Sequence, residues 1–158
     1  MSAEENKELV RHYIEAVWNQ RNIAALDELL APNYRRYVSA TAAPLSREGQ
    51  RQRINGFHTA FPNLHFTIED LLAESDRVTF RVTLRGTHQG VFPFFQGIAP
   101  TGKQVTISVL DVVRVEGKKF AEQWGGPDLF DLLRQLDALP FPQVQTCQEQ
   151  KPGAYLPK

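Results

Sequence analysis

Residues 104–128, QVTISVLDVVRVEGKKFAEQWGGPD, decide the fold. Val105, Ile107, Val109, Val113 and Val115 alternate with the two-residue period of a strand that buries one face, and Asp111 has the same parity. A carboxylate therefore points to the apolar side. There it must be paired, protonated or lining a cavity that uses it, because a lone buried charge is costly. Glu116-Gly117-Lys118 predicts a turn, and alternation on the return strand puts Phe120, Glu122 and Trp124 on one face before Gly125-Gly126-Pro127 ends the pairing at Asp128. One hairpin thus carries three acids, Asp111, Glu122 and Asp128, with an indole beside two of them.

Outward from this hairpin, the upstream segment predicts further antiparallel strands. His65 to Leu72 is one, Glu74-Ser75-Asp76 a turn, and Val78, Phe80, Val82 and Leu84 alternate with polar residues in the next. Residues 86–102 are rich in Gly, Pro and Phe and form a long connection over an opening, with Phe92, Phe94 and Phe95 needing apolar surroundings. Nearer the start, Ala3 to Gln20 predicts an amphipathic helix through Leu9, Tyr13, Ala16, Val17 and Trp18. Asn22 is placed to cap a second, short helix that Pro32 stops, and residues 33–38 predict a strand with Tyr34 and Arg36 on one side and Arg35 and Tyr37 on the other. Ser46 predicts the cap of a helix running to about Phe61. After Asp128 a final helix buries Leu129, Leu132, Leu133 and Leu136 and ends at Pro140. Residues 1–140 are expected to be one domain and residues 141–158 a tail or strap.

The composition sets bounds. A chain of 158 residues with 42% hydrophobic content can bury one good core. Eighteen basic against eighteen acidic residues provide no net field for nucleic acid. The polar, acidic N-terminus and the lack of a long apolar run argue against a membrane span and make a cytoplasmic location the default. Cys147 alone permits no internal disulfide. Four scattered His without paired ligand spacing predict no metal site, and the motifs of phosphoryl transfer, nicotinamide redox chemistry and serine hydrolysis are missing. No cofactor is expected.

Helices followed by antiparallel strands and a short helix make an α+β fold. The segments HYIEAVWNQRNIAALDELLAPNY, AFPNLHFTIEDLLAESDRVTFRVTLRGTHQG and PTGKQVTISVLDVVRVEGKKFAEQWGGPDLFDLLRQL resemble the SnoaL-like polyketide (ester) cyclases of the superfamily named after nuclear transport factor two. The resemblance covers Asn6 to about Ala138. It implies a cone-shaped, curved, mostly antiparallel sheet wrapped by N-terminal helices around a pocket, the ketosteroid-isomerase-like or cystatin-like roll. It also implies cofactor-free aldol ring closure with Asp128, in Trp124-Gly125-Gly126-Pro127-Asp128, as general acid/base. Tyr37 stands where members often have His, and the loop after His88 is longer. Such folds pair through the outer sheet face, and Leu110 and Val112 on the face opposite Asp111 make a homodimer the expectation, unless the tail covers that face.

The candidate catalytic residues are Asp128, His88, Asp111 and Tyr37, with Tyr37 or His88 donating to an enolate oxygen. Trp18, Phe57, Phe61, Phe92, Phe95, Trp124 and Glu122 are the candidates for binding a hydrophobic carbonyl substrate. Structural roles compete with these. Asp128 is suited to cap the last helix, and Asp111 to an ion pair with Arg81, Arg85 or Arg114. Two alternatives stay open, a non-catalytic small-molecule-binding module and water addition of the epoxide-hydrolase kind by Asp111, Asp128 and Arg81 or Arg85.

Overall fold

The computed structural model describes residues 1–92 and 98–139. Phe94, Phe95 and the tail from Phe141 to Lys158 lie outside the described residues. Among those described, five strands form one curved, unclosed sheet in the order β1-β5-β4-β3-β2. They are β1 Leu30–Tyr37, β2 His65–Glu74, β3 Arg77–Thr87, β4 Gln104–Glu116 and β5 Lys119–Pro127. β1 runs parallel to β5, and the other neighbours are antiparallel. β1 begins earlier than expected, because Pro32 is a strand residue here rather than a helix stop. That is tolerated because β1 is an edge strand, whose far side is met, among the described residues, by a single bridge between Arg36 and Leu45 and not by a further strand at Pro32.

The helices cover the inner face. α1, Ala3–Tyr13, starts at a capping box formed by Ser2 and Glu5. The single helix expected to run to Gln20 changes pitch at Ile14–Asn19, a π-helical turn. Bonds that skip five residues, such as Gln20 N to Glu15 O, bring Tyr13 and Trp18 towards the same face. Asn19 then binds the Phe66 backbone on both sides, its Oδ1 accepting from N at 2.8 Å and its Nδ2 donating to O at 3.1 Å, which pins the helix to edge strand β2. A 3-10 turn at Ile23–Ala25 leads into α2, Leu26–Leu29, and Asn22 makes no side-chain cap there. α3, Arg47–Ala60, starts at Ser46, whose hydroxyl accepts from Gly49 N, and α4, Leu129–Gln135, starts at Asp128.

The central hairpin has one feature that alternation does not predict. β4 follows the expected parity, with Val105, Ile107, Val109, Asp111, Val113 and Val115 buried. In β5 the register slips by one residue, since Val115 faces Phe120 while Arg114 faces Glu122. Ala121 is the extra residue of a bulge, and it inverts the faces beyond it. Phe120 and Gln123 therefore point inward, and the face expected to be shared by Phe120, Glu122 and Trp124 does not exist. Trp124 pairs with Val112 on the outer face and stacks on Tyr37 with ring centroids 5.4 Å apart.

His88 closes the long connection at its root. Its backbone exchanges bonds with Lys103 O and Gly102 N, and its Nδ1 accepts from Thr101 N at 3.2 Å. The ring is fully buried against Phe61, with its other nitrogen unbonded.

Gly125 has φ near +103°, and a Cβ there would stand 2.1 Å from Leu110 O, whereas Gly117, also at positive φ, has open space around it. Gly125→Ala should cost more than the about 1–3 kcal/mol of backbone strain alone, seen as a drop in Tm clearly larger than that of Gly117→Ala. Equal drops would remove the steric argument. For His88, burial lowers the pKa below its ordinary value, so the unfolded chain takes up a proton first as the pH falls below about 6.5. Stability is then full above that pH and lost below it. His88→Asn keeps an acceptor for Thr101 N and does not titrate, so its Tm should fall less steeply between pH 7 and 5. Some slope remains from His58, also lowered by burial.

Candidate functional site

Asp111 is 5% exposed, and its partner is Arg36 rather than Arg81, Arg85 or Arg114. Arg81 pairs with Asp70, and Arg114 with Glu116 and Glu122, on the outer face. Arg36 reaches Asp111 from β1, with Nη2 3.2 Å from Oδ1, and Nη2 also donates to Gly125 O at 3.1 Å. Gln123, turned inward by the bulge, donates to Asp111 Oδ2 at 2.7 Å and accepts from the Tyr34 hydroxyl at 2.5 Å. Gly125 lies opposite Asp111, and a Cβ there would come within 2.8 Å of Oδ1. Burial opposes the charge on Arg36 most strongly, but Asp111 together with the Tyr34 and Tyr13 oxygens outweighs it and raises the pKa. Burial raises the Tyr34 phenol as well.

This network forms the polar end of a cavity between sheet and helices. The walls include Tyr13, Trp18, Phe57, Phe66, Phe80 and Val109, with Asp111, Arg36 and Arg53 as the charged members. About 20 Å³ is open to the centre of a water molecule, room for roughly one water. The Tyr13 oxygen accepts from Gln50 Nε2 at 3.0 Å, and burial raises its pKa, so the phenol keeps a proton to donate. Arg53 and Pro127 also line a second, outward-facing pocket of about 340 Å³ with Val38, Leu45, Gly125, Gly126 and Leu129. These two residues are the partition between inside and outside.

The structure brings together only part of the set read from the sequence. Asp111, Trp18 and Phe57 line the cavity. Phe61 and Phe92 are buried behind it, where Phe92 packs edge-on to Phe57 at 4.9 Å. Asp128 is exposed, and its Oδ1 accepts from Asp131 N at 2.9 Å as the cap of α4. His88 is held in the loop root. Tyr37, Trp124 and Glu122 lie on the outer face, Glu122 against Arg114 and Trp124 beneath the Arg77 guanidinium. Four residues of the site were not anticipated as such: Arg36, Gln123, Tyr13 and Arg53. Arg36 had a signal in the sequence, since it shares strand parity with Tyr34 and an inward acid needs a cation. Among the described residues no three His, Cys, Asp or Glu side chains converge as a metal ion would require.

The same fold occurs in TsrD from Streptomyces laurentii, 29% identical over 88% of this chain and 99% of that one, with a TM-score of 0.76. AclR from Streptomyces galilaeus is 29% identical over 89% of each chain, with a TM-score of 0.77. IdmH from Streptomyces antibioticus is 27% identical over 84% of this chain and 98% of that one, with a TM-score of 0.73. No curated protein sequence matches the chain. No helix among the described residues is long and apolar enough to cross a membrane. The family model for SnoaL-like polyketide cyclases matches residues 8–136. The chain belongs to the SnoaL-like polyketide cyclase family.

Proposed function

We propose that this protein catalyses cofactor-free, aldol-type ring closure or isomerisation of a hydrophobic carbonyl compound, with Asp111 as the proton-transfer group. The observation that carries this reading is a carboxylate oriented by Arg36 and Gln123 on an apolar cavity wall shared with the Tyr13 hydroxyl. Asp111 takes a proton from the carbon alpha to a carbonyl. The electron pair of that C–H bond moves onto the carbonyl oxygen, which the Tyr13 hydroxyl and the dry surroundings stabilise. The enolate carbon attacks a second carbonyl carbon, the new C–C bond closes the ring, and the alkoxide so formed takes the proton back from Asp111. In isomerisation the proton returns to a different carbon instead.

The inner cavity holds about one water, so the body of a substrate belongs in the outer pocket and only its reactive end passes Arg53 and Pro127. Movement of the flexible Arg53 side chain joins the two spaces without disturbing the sheet. Water addition by Asp111 and Asp128 together has no support, because one acid is in the cavity wall and the other is exposed at the cap of α4. A role as a carrier without catalysis would leave the Asp111 and Tyr13 arrangement without a chemical purpose.

The direct test is deuterium incorporation alpha to the carbonyl of aromatic β-dicarbonyl polyketide mimics in D₂O, followed by NMR. The wild type should exchange, Asp111→Asn should lose a factor of about 10²–10⁴, and Asp128→Asn should keep the rate while losing some stability. Because Asp111→Asn leaves Arg36 without its counter-ion, Tyr13→Phe serves as a second variant, with a rate loss but an intact fold. Full exchange in Asp111→Asn would overturn the assignment.

We further propose a homodimer through the outer sheet face. Leu72, Thr79, Val112, Trp124 and Tyr37 form a cross-strand row there, and Leu72 and Leu110 are 70% and 55% exposed. Light scattering should give a dimeric mass for the full chain and for a chain ending at Ala138, and a monomeric mass for Leu110→Glu. A monomeric wild type would reject it.

A further inference from the structure

We propose that Arg53, with the Gly125-Gly126-Pro127 segment, forms a carboxylate-binding subsite at the mouth of the cavity, so that the substrate is a hydrophobic acid rather than a neutral ester. This names the substrate class of the enzymatic reading above and rests on it.

The first observation is an unmatched cation. Two other arginines on α3 are paired with acids, Arg47 with Asp27 and Arg51 with Asp27 and Glu48. Among the described residues Arg53 has no hydrogen-bond or ion-pair partner, and its guanidinium rests over the Phe57 ring, 4.9 Å from the centroid. Its neighbours make the position worse for a lone charge. A methyl placed on Gly126 would lie 3.7 Å from Arg53 Nη2 and 3.8 Å from Arg36 Nη2, so two guanidinium groups flank one glycine. Asp111 is committed to Arg36 and Gln123. The charged groups of the cavity wall are thus two cations and one anion, an excess of one positive charge, with Arg53 half-buried between the cavity and the outer pocket. Burial, and after it the charge of Arg36, pushes the Arg53 pKa down to about 10, the direction expected of a cation that lacks its anion.

The second observation is the shape of the space beyond it. The outer pocket is walled by Val38, Leu45, Pro127 and Leu129 around the polar pair of Arg53 and the glycine backbone. An apolar wall of that size with a planar, bidentate donor at its inner end suits a flat hydrophobic body ending in a carboxylate. A carboxylate would neutralise the excess charge. An ester or amide would bring only a weak acceptor and leave the cation unmatched. With the carboxylate on Arg53, the hydrophobic body fills the outer pocket and only a reactive arm of the same molecule passes the guanidinium towards Asp111.

Isothermal titration with 2-naphthoate and its neutral counterpart 2-naphthamide tests this. The wild type should bind the acid about tenfold or more tighter than the amide, the scale of one charge-assisted hydrogen-bonded contact. Arg53→Met should abolish that preference while keeping amide affinity, and Arg53→Lys should restore part of it. Arg53→Met should also raise the Tm, since it removes an uncompensated charge. Equal affinity for the two probes in the wild type, no binding of the acid, or an acid preference that survives Arg53→Met would each overturn the subsite. A lowered Tm in Arg53→Met with loss of both probes would assign Arg53 a structural role and overturn it too. Asp111→Asn separates the two readings, because it should retain the acid preference. If the wild type shows no deuterium exchange yet prefers the acid, the catalytic reading fails and the subsite stands.

Discussion

A carboxylate facing the inside of a sheet and paired with an arginine constrains everything around it. Asp111 has Phe80 as its cross-strand neighbour on β3 and Gly125 on β5. Neither can neutralise it, so the counter-charge has to come from β1, one strand further on. Arg36 reaches across β5 to supply it, and that route exists because Gly125 has no Cβ to occupy the space and offers its carbonyl to the same guanidinium. Gln123 then donates to the carboxylate, and Tyr34 fixes Gln123 by donating to its Oε1. The arrangement ties the parity of three strands together. Removing one member of such a pair leaves an uncompensated buried charge, worth about 3–5 kcal/mol, a large part of the stability of a domain of this size.

That constraint also explains what the sequence could and could not reveal. The hairpin turn, the parity of β4, the inward Asp111 and the caps at Ser46 and Asp128 were legible, because each follows from a period or a short-range rule within a few residues. The faces of Glu122 and Trp124 were not, since the bulge at Ala121 inverts the alternation and nothing in KFAEQW marks it. The partner of Asp111 was misplaced for a related reason. Arg81, Arg85 and Arg114 are near in sequence or on neighbouring strands, but all have outward parity, whereas Arg36 is 75 residues away and meets Asp111 only once β1 lies parallel to β5.

Arg53 was invisible in another way. On α3 the buried stripe is Gln50, Ile54 and Phe57, and an arginine beside such a stripe usually extends its head into water. Here the guanidinium lies against Phe57 at the junction of two pockets, a position set by the packing of α3 against the mouth of the sheet and not by any local signal. Tyr13 shows the same dependence on long-range order. It faces the cavity together with Trp18 because the helix changes pitch after it, where a continuous α-helix would turn residues five apart away from each other.

Rigidity is divided across the site accordingly. Asp111 sits in the middle of a sheet, held by Arg36 and Gln123, and that fixed geometry suits the proton transfer proposed for it. Among the described residues Arg53 is held by a ring contact alone, at the end of a long side chain between the cavity and the outer pocket. A cation fully paired within the protein would be a better structural element and a poorer receptor. In the proposed subsite, leaving it unmatched lowers the stability of the empty protein, and that same deficit becomes available as binding free energy once an anion arrives.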